Sequence, residues 1–150
     1  MKIRSNLVLG LLLITLCLVQ RIQSKTTEEW KQMSIYQIIT DRFARTDGST
    51  TDCEGYIQTM KYCGGTWVGI KNNIDYIANM GFDAIWISPV WKNLPNAYHG
   101  YSIQDLDKLN EFFGTNQEFL DMIAAAHAKK INVMVDVVPN HMGSVMFDYE

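Results

Sequence analysis

The chain lacks the charge patterns that indicate nucleic-acid binding or a disordered tail. Its 150 residues carry 13 Lys and Arg against 16 Asp and Glu, which gives a net charge of −3. There is no basic excess to contact phosphates, and there is no long block of like charge. Nucleic acid is therefore not expected as a partner, and small molecules, sugars or other proteins remain.

Long apolar runs are also missing. The longest covers Leu7–Val19, whereas a transmembrane helix needs about 20 residues, so no membrane span is expected. Lys2 and Arg4 precede this run, and Ser24 follows it as a small residue at which cleavage can occur. This order predicts that residues 1–24 are a secretory signal peptide, with a buried N-terminal helix as the alternative. The protein is then expected to be secreted, either outside the cell or into the lumen of a digestive vacuole.

Cysteine is scarce, and removal of the signal peptide leaves two. Cys53 and Cys63 lie ten positions apart, and in an exported chain they are expected to form a disulfide. A disulfide that closes so short a loop stabilises it by about 2.5–3 kcal/mol. A zinc site is the alternative, but no C-x-x-C or H-x-x-x-H spacing supplies the further ligands it needs. No N-x-S/T sequon is present, so N-glycosylation is not expected.

Three apolar segments predict β-strands. They are Ser34–Thr40, Phe82–Ser88 and Val133–Val138, each rich in Ile, Val or aromatic residues. The last segment is apolar at every position except Asp136, which is typical of a strand buried on both faces of a parallel sheet. Pro139 ends this strand because proline has no N–H to donate to a neighbour.

Two helices are predicted between these strands. Trp67–Asn79 has apolar residues at three- and four-residue spacing, and Gly81 follows at a C-cap position. The second helix begins at a capping box, Thr115–Glu118, and ends at Lys129–Lys130, where positive charge suits the helix dipole. Lys25–Lys31 is polar and is expected to be extended or frayed, whereas Asp41–Gly65 and Val90–Asn110 are expected to form long loops.

Alternation of strands and helices predicts an α/β fold with a parallel sheet. No G-x-G-x-x-G follows the first strand, which argues against an open dinucleotide-binding sheet. Long loops after the strands favour a TIM (β/α)8 barrel with one functional face, truncated to its first three strands and two helices. Three barrel strands leave unpaired edges, so residues 25–150 are expected to be the N-terminal part of a longer, incomplete barrel domain.

Polar side chains follow the third strand, at the edge of the sheet where α/β proteins carry their chemistry. Asp136 needs a partner such as a backbone group or Arg, and a structural role is as compatible with its position as a functional one. Asn140 could cap a turn or give its carbonyl oxygen to Ca²⁺, which takes six to eight oxygens. His141 could be a loop histidine, a substrate donor or a metal ligand.

A second polar cluster, Tyr98–Tyr101, follows the second predicted strand. Tyrosine rings offer a flat apolar face and a polar tip that suit a sugar ring, although the same rings could form an aromatic corner packed under the loop. Hydrolysis of a glycosidic bond also needs two flanking carboxylates. Asp105 and Asp107 lie near, but nothing in their spacing identifies them as such a pair.

The segment Asp136–His141 resembles the first signature of the α-amylase family, the family 13 glycoside hydrolases. Ser34–Thr51, Cys63–Trp67 and Ala97–Tyr101 resemble segments of secreted fungal-type α-amylases, in the same order. The resemblance implies a monomeric (β/α)8-barrel enzyme that hydrolyses internal α-1,4-glucosidic bonds with retention. Its substrate would be starch, glycogen or a maltooligosaccharide. An α-glucosidase or transglycosylase on the same barrel, or a truncated and inactive glucan-binding protein, are the alternatives.

The resemblance also implies roles for individual residues. His99, Tyr101 and His141 match positions that contact the substrate, and Tyr101 matches the residue that stacks on the sugar at the cleavage point. Asn140 matches a calcium ligand, so Ca²⁺ is the implied cofactor. Asp136 matches a non-catalytic aspartate that organises the site. The two cysteines match a family disulfide.

Two positions depart from the fungal-type pattern. Met60 stands where a substrate-binding Gln is usual, and Ser102 stands where Trp often follows His-Gly-Tyr. The preferred chain length and product pattern therefore stay open. The nucleophile, the acid/base and the remaining calcium ligands come from later strands in the family, so no catalytic residue is assigned before Glu150.

Overall fold

The computed structural model describes residues 25–53 and 61–144. The predicted signal peptide, Met60 and residues 145–150 lie outside the described residues. The chain comprises two units, Met1–Gln32 and Met33–Glu150. Within the described ranges, no helix is long and apolar enough to span a membrane. The helices and strands are, in chain order, α1 (Thr27–Lys31), β1 (Ile35–Ile38), α2 (Thr40–Phe43), α3 (Trp67–Asn72), α4 (Ile74–Asn79), β2 (Ala84–Ile87), β3 (Trp91–Asn93), β4 (Ile103–Leu109), α5 (Asn116–Ala128) and β5 (Asn132–Val135).

Helix α1 lies in the segment that was predicted to be extended or frayed, so that prediction was wrong. The N–H of Glu29 donates to the hydroxyl of Thr26 at 3.3 Å, and the N–H of Thr26 donates to the Glu29 carboxylate at 2.8 Å. Together these two bonds form a capping box, which satisfies two backbone donors at the start of the helix. The local capping pattern therefore outweighs the polar composition of the segment.

A three-stranded parallel sheet in the order β1–β2–β5 organises the second unit. Ile35 of β1 pairs with Ala84 of β2, which pairs in turn with Asn132 of β5. Strands that are adjacent in this way and separated by helices require crossover connections. The predicted α/β class and parallel strand order are therefore confirmed.

The strand β5 is shorter and less buried than the sequence predicts. It ends at Val135, so Asp136 follows the strand instead of lying within it, although the N–H of Asp136 still donates to the carbonyl of Ile87 at 3.0 Å. Every residue of β5 is half-buried, and Val137 beyond it is 61% exposed. Within residues 25–53 and 61–144, β5 pairs with β2 alone, which explains why its burial is incomplete.

The predicted helix Trp67–Asn79 is divided into α3 and α4 at Asn73. The side-chain amide of Asn73 donates to the carbonyl of Gly69 at 2.9 Å, and its backbone has φ −112° and ψ 13°. An Asn side chain that competes for a backbone carbonyl interrupts a helix in this way. The helix end is as predicted, because Gly81 has φ +85° immediately after the C-cap.

The other helix prediction is confirmed. In α5 the N–H of Glu118 donates to the hydroxyl of Thr115 at 3.2 Å, and the N–H of Thr115 donates to the Glu118 carboxylate at 2.7 Å. These hydrogen bonds lower the pKa of Glu118 below its ordinary value. The carboxylate is therefore held in the charged form that suits a helix N-terminus.

Two segments that were predicted to be loops contain regular structure. Helix α2 begins at Thr40, and β3 and β4 form an antiparallel pair within residues 90–110. Ile103 of β4 is fully buried, but Leu106 is 52% exposed and charged residues lie around it. A strand with so little apolar alternation gives no clear sequence signal.

The core consists of side chains from the sheet and from α3, α4 and α5. Trp67 is fully buried, and its ring contacts the rings of Phe113 and Phe119 at centroid distances of 6.0 and 5.0 Å. Ile70 and Ile77 of the two helices and Ile85 of β2 are fully buried in the same cluster. The helices thereby cover one face of the sheet and leave its carboxyl edge to the loops.

Gly69 provides a stability test, because α3 packs directly on the backbone of residue 44. A Cβ at Gly69 would overlap the carbonyl oxygen of Ala44. We expect Gly69→Ala to destabilise the full-length protein by about 3 kcal/mol, although alanine is the better helix former. Gly81→Ala is the matched control, since open space surrounds that position and only its positive φ opposes the change, at about 1 kcal/mol. Urea denaturation measures both; equal losses would contradict the packing argument.

Candidate functional site

A small cavity of about 80 Å³ lies at the carboxyl ends of β1, β2 and β5. This is the edge at which the sequence predicts the functional residues. Of those residues, His99, Tyr101 and Asp136 line the cavity. The full lining is Gln37, Ile38, Ile39, Trp86, Ser88, His99, Tyr101 and Asp136.

Tyr101 is held at three different atoms. Its hydroxyl donates to Oδ2 of Asp136 at 2.8 Å, its backbone N–H donates to Nδ1 of His99 at 3.0 Å, and its carbonyl oxygen lies 3.0 Å from Nε2 of His141. The residue nevertheless remains 40% exposed. The arrangement therefore brings together four of the predicted site residues and fixes one tyrosine ring that is still open to a ligand.

These contacts also assign the protons of both histidines. Nδ1 of His99 accepts the N–H of Tyr101, so the neutral ring carries its proton on Nε2. Nδ1 of His141 lies 3.1 Å from the donating Nδ2 of Asn140, which leaves Nε2 of His141 to donate to the Tyr101 carbonyl. Burial lowers the pKa of His99, which favours the neutral ring.

Among residues 25–53 and 61–144, the carboxylate of Asp136 is bound by a tyrosine hydroxyl and not by the backbone group or Arg that the sequence suggests. The hydroxyl is that of Tyr101, and this hydrogen bond to a carboxylate raises the pKa of Tyr101 above its ordinary value. The tyrosine therefore keeps its proton and remains a donor to Asp136.

The loop between β3 and β4, residues 94–102, is closed at its base by Asn93, which the sequence analysis missed. Asn93 is 3% exposed; its Nδ2 donates to the carbonyl of Gly100 at 3.0 Å, and its Oδ1 accepts the N–H of Ser102 at 2.7 Å. Gly100 and Ser102 are the chain neighbours of Tyr101, so Asn93 holds the backbone on both sides of that tyrosine. Gly100 has φ +87°, and a Cβ there would collide with the carbonyl oxygen and ring of Pro89. A single Asn in a polar segment carries no signal by which sequence analysis could have found this role.

The predicted disulfide between Cys53 and Cys63 is present, with Cα atoms 5.4 Å apart. Beside it, the buried carboxylate of Asp41 accepts the N–H of Cys63 at 2.8 Å and the N–H of Gly64 at 3.1 Å. Nε of Arg42 lies 2.9 Å from the same carboxylate. Burial raises the pKa of Asp41, while these hydrogen bonds and the Arg42 charge oppose the rise. Cys63 and Gly64, at one end of the disulfide, are therefore fixed to the end of β1 through one carboxylate.

The predicted metal ligand, Asn140, is exposed and directly precedes His141. Because its Nδ2 contacts His141, its neutral carbonyl oxygen remains for another partner. The described part of the chain contains no group of three or more His, Cys, Asp or Glu that could hold a metal ion. The donor chemistry thus fits Ca²⁺ as one oxygen ligand, and a complete site needs several more.

Comparison with known proteins decides the family. The model of the α-amylase catalytic domain matches residues 37–150. The chain belongs to the α-amylase catalytic-domain family. All the candidate site residues described above lie within the matched range.

Individual α-amylases support the assignment. The chain is 50% identical over 125 residues to α-amylase 1 of Schwanniomyces occidentalis, a match that covers 79% of this chain and 24% of that protein. The solved α-amylase of Malbranchea cinnamomea is 45% identical with a TM-score of 0.74, covering 79% of this chain and 26% of that one. An α-amylase from Geobacillus thermoleovorans, solved with acarbose, is 37% identical with a TM-score of 0.67, covering 80% and 25%. The chain thus spans about a quarter of the length of these α-amylases, and the predicted resemblance to fungal α-amylases is confirmed.

His99 provides a test of the site geometry. Its pKa is lowered from 6.5 by burial, and its Nδ1 can no longer accept the N–H of Tyr101 once it is protonated. Since the folded-state pKa is the lower one, the neutral ring stabilises the fold above the ordinary pKa, and this contribution is lost as the pH falls through the lowered value. NMR titration of the imidazole in the full-length protein should give a midpoint below 6.5 and the Nε2–H tautomer.

The matched control for this titration is His99→Asn, because an amide oxygen can accept the Tyr101 N–H at any pH. In that variant the dependence of unfolding free energy on pH that comes from His99 should disappear. A midpoint for His99 at or above 6.5 would show that the ring is not held as described.

Proposed function

We propose that this chain is the N-terminal part of a secreted α-amylase that hydrolyses internal α-1,4-glucosidic bonds of starch or glycogen with retention of configuration. The observation that carries the proposal is Tyr101, whose ring is exposed while its hydroxyl, N–H and carbonyl are all held. A ring that is fixed before the ligand arrives binds a sugar face without a further cost of ordering. Membership of the α-amylase family gives the sugar its identity as an α-1,4-glucan.

In this proposal β1, β2 and β5 are the first three strands of a (β/α)8 barrel. Their parallel order and the grouping of candidate residues at their carboxyl ends support a barrel, because such enzymes carry their sites on that face. Residues 1–24 are proposed to be the signal peptide. The disulfide supports export, since such bonds persist mainly in oxidising compartments.

His99 and His141 are proposed to contact the substrate together with Tyr101. The ring of His99 stacks on that of Tyr101 with centroids 5.6 Å apart, and its Nε2–H can donate to a sugar hydroxyl. His141 is exposed beside the same residue and bonds its carbonyl. The three side chains would orient the glucose unit at the bond to be cleaved.

Asp136 is proposed to organise the site and to take no part in bond cleavage. Its carboxylate accepts the Tyr101 hydroxyl and so fixes the ring of that residue, which is a positioning role that needs no contact with the sugar. A retaining mechanism needs two carboxyl groups about 5–5.5 Å apart, one as nucleophile and one as acid/base. Both are proposed to come from later strands of the full-length protein.

Asn140 is proposed to hold Ca²⁺ through its carbonyl oxygen, with the other ligands supplied by the rest of the protein. A calcium ion at this position would supply a fixed positive charge that orders the segment after β5. Because Nδ2 of Asn140 contacts His141, that order would extend to a substrate-binding histidine.

The proposed activity is tested by incubating the full-length secreted protein with soluble starch. We expect mixed maltooligosaccharides whose newly formed ends are α-anomers, measured by chromatography and NMR, because an endo-acting retaining enzyme cuts within the chain. Acarbose, the ligand in the Geobacillus complex, should inhibit the reaction. Glucose released only from chain ends would indicate an α-glucosidase instead, and starch binding without reducing-sugar release would indicate an inactive glucan-binding protein.

The calcium assignment is tested with Asn140→Ala. Loss of one direct ligand should raise the calcium concentration needed for half-maximal activity after EDTA treatment by about tenfold or more. The control is Asn79→Ala, which removes an exposed amide at the end of α4, close to the amino edge of the sheet. Full activity of the wild-type enzyme after exhaustive chelation, or equal behaviour of the two variants, would contradict the assignment.

A further inference from the structure

A continuous row of side chains runs from Arg42 of α2, beside the disulfide, to the proposed sugar-binding residue Tyr101. The guanidinium carbon of Arg42 lies 3.7 Å from the centre of the Tyr98 ring. Tyr98 contacts the edge of His99 at a centroid distance of 5.5 Å, and His99 stacks on Tyr101 at 5.6 Å with 18° between the planes. These four residues, Arg42, Tyr98, His99 and Tyr101, are called the stacked row.

Arg42 is the fixed end of the stacked row. Its side chain is only 14% exposed, its Nε lies 2.9 Å from the Asp41 carboxylate, and its guanidinium also donates to the carbonyl of Lys61 at 3.0 Å. Asp41 has no exposed side-chain surface and holds the N–H of Cys63 beside the disulfide. The guanidinium is therefore held by the Asp41 carboxylate and by the Lys61 carbonyl where it meets Tyr98.

The other end of the stacked row is fixed by Asp136 through the Tyr101 hydroxyl. Asn93 closes the 94–102 loop at its base, next to Tyr101, but it does not hold the Tyr98 ring. Arg42 reaches the loop from outside, on the face of Tyr98. Loss of this contact would leave the Tyr98 ring free to adopt other rotamers and would remove its edge contact with His99, while the base of the loop stays closed.

We propose that Arg42 is a positioning residue for substrate binding, which acts through Tyr98 to hold the His99–Tyr101 pair in the orientation that a sugar ring meets. The proposal rests on the proposed function, in which that pair contacts the substrate. A planar guanidinium stacks on an aromatic face and at the same time keeps its hydrogen bond to the Lys61 carbonyl and its ion pair with Asp41, a combination that a lysine ammonium cannot reproduce. The position therefore requires arginine and not just positive charge.

The proposal predicts a specific kinetic signature. If each incoming substrate must order the loop, the enzyme binds the substrate and the transition state more weakly by the same amount. This loss raises KM and leaves kcat unchanged. For Arg42→Lys in the full-length enzyme we expect a rise in KM for maltooligosaccharides of about three- to tenfold, as expected for a lost cation–π contact. The value of kcat should stay within about twofold of the wild-type value.

Four further variants make the test selective. Tyr98→Leu should raise KM as Arg42→Lys does, and the double variant should be no worse than either single one, because both remove the same contact. Tyr98→Phe keeps the ring and should keep the wild-type KM. Arg45→Lys is the matched control: Arg45 also lies next to the disulfide, where it donates to the carbonyl of Cys63 and to the hydroxyl of Ser49, and its described contacts do not include Tyr98.

Three results would overturn the proposal: an unchanged KM in Arg42→Lys, effects that multiply in the double variant, or an equal rise in KM in Arg45→Lys. Thermal unfolding of each variant ensures that all are compared while folded. If the wild-type protein hydrolyses no glucan, the proposed function fails separately. The effect of Arg42 on the position of His99 is then measured by NMR from the His99 imidazole resonances, which should shift in Arg42→Lys but not in Arg45→Lys. Unshifted resonances in both variants would reject the positioning role of Arg42.

Discussion

The buried carboxylate of Asp41 determines how the end of β1 is built. A charge with no exposed side-chain surface is tolerated only when hydrogen bonds and an opposite charge replace its water. Asp41 obtains these from the N–H groups of Cys63 and Gly64 and from Arg42. Satisfying one carboxylate therefore brings a distant segment of the chain, its disulfide and a guanidinium to the carboxyl edge of the sheet.

A second carboxylate, Asp136, lies at the end of β5 and fixes the opposite side of the same edge. Its bond to the Tyr101 hydroxyl leaves the N–H of Tyr101 for His99 and the carbonyl for His141. The hydroxyl and the N–H of Tyr101 each have one acceptor, and its carbonyl has one donor. The proton positions on Tyr101, His99 and His141 are therefore set before a ligand binds. Such preorganised polar groups stabilise a bound ligand more effectively than groups that must first reorient.

Much of this arrangement follows from local sequence patterns. The order of the strands, the capping box at Thr115 and the disulfide depend on short-range spacing, and the strand ends indicate where Tyr101 and Asp136 meet. The helix break at Asn73 gives no sequence signal because it arises from a side-chain hydrogen bond, which leaves the apolar periodicity of the segment unchanged. The strand β4 gives only a weak signal because most of its residues are exposed, so apolar and polar residues do not alternate clearly. Contacts between distant segments are the least predictable, because their partners are set by the fold and not by neighbouring residues.

Arg42 and Asn93 show what such contacts add to the site. Both belong to polar stretches that predict only loops, yet both have side chains with little exposed surface and both hold the segment that carries Tyr101. Asn93 constrains the backbone on either side of the tyrosine, whereas Arg42 constrains rings further along the 94–102 loop. The two constraints are complementary, because closing the base of a loop leaves its side-chain rotamers free. The 94–102 loop therefore has its base and its rings held from separate elements: Asn93 of β3 holds the base, and Arg42 of α2 holds the Tyr98 ring.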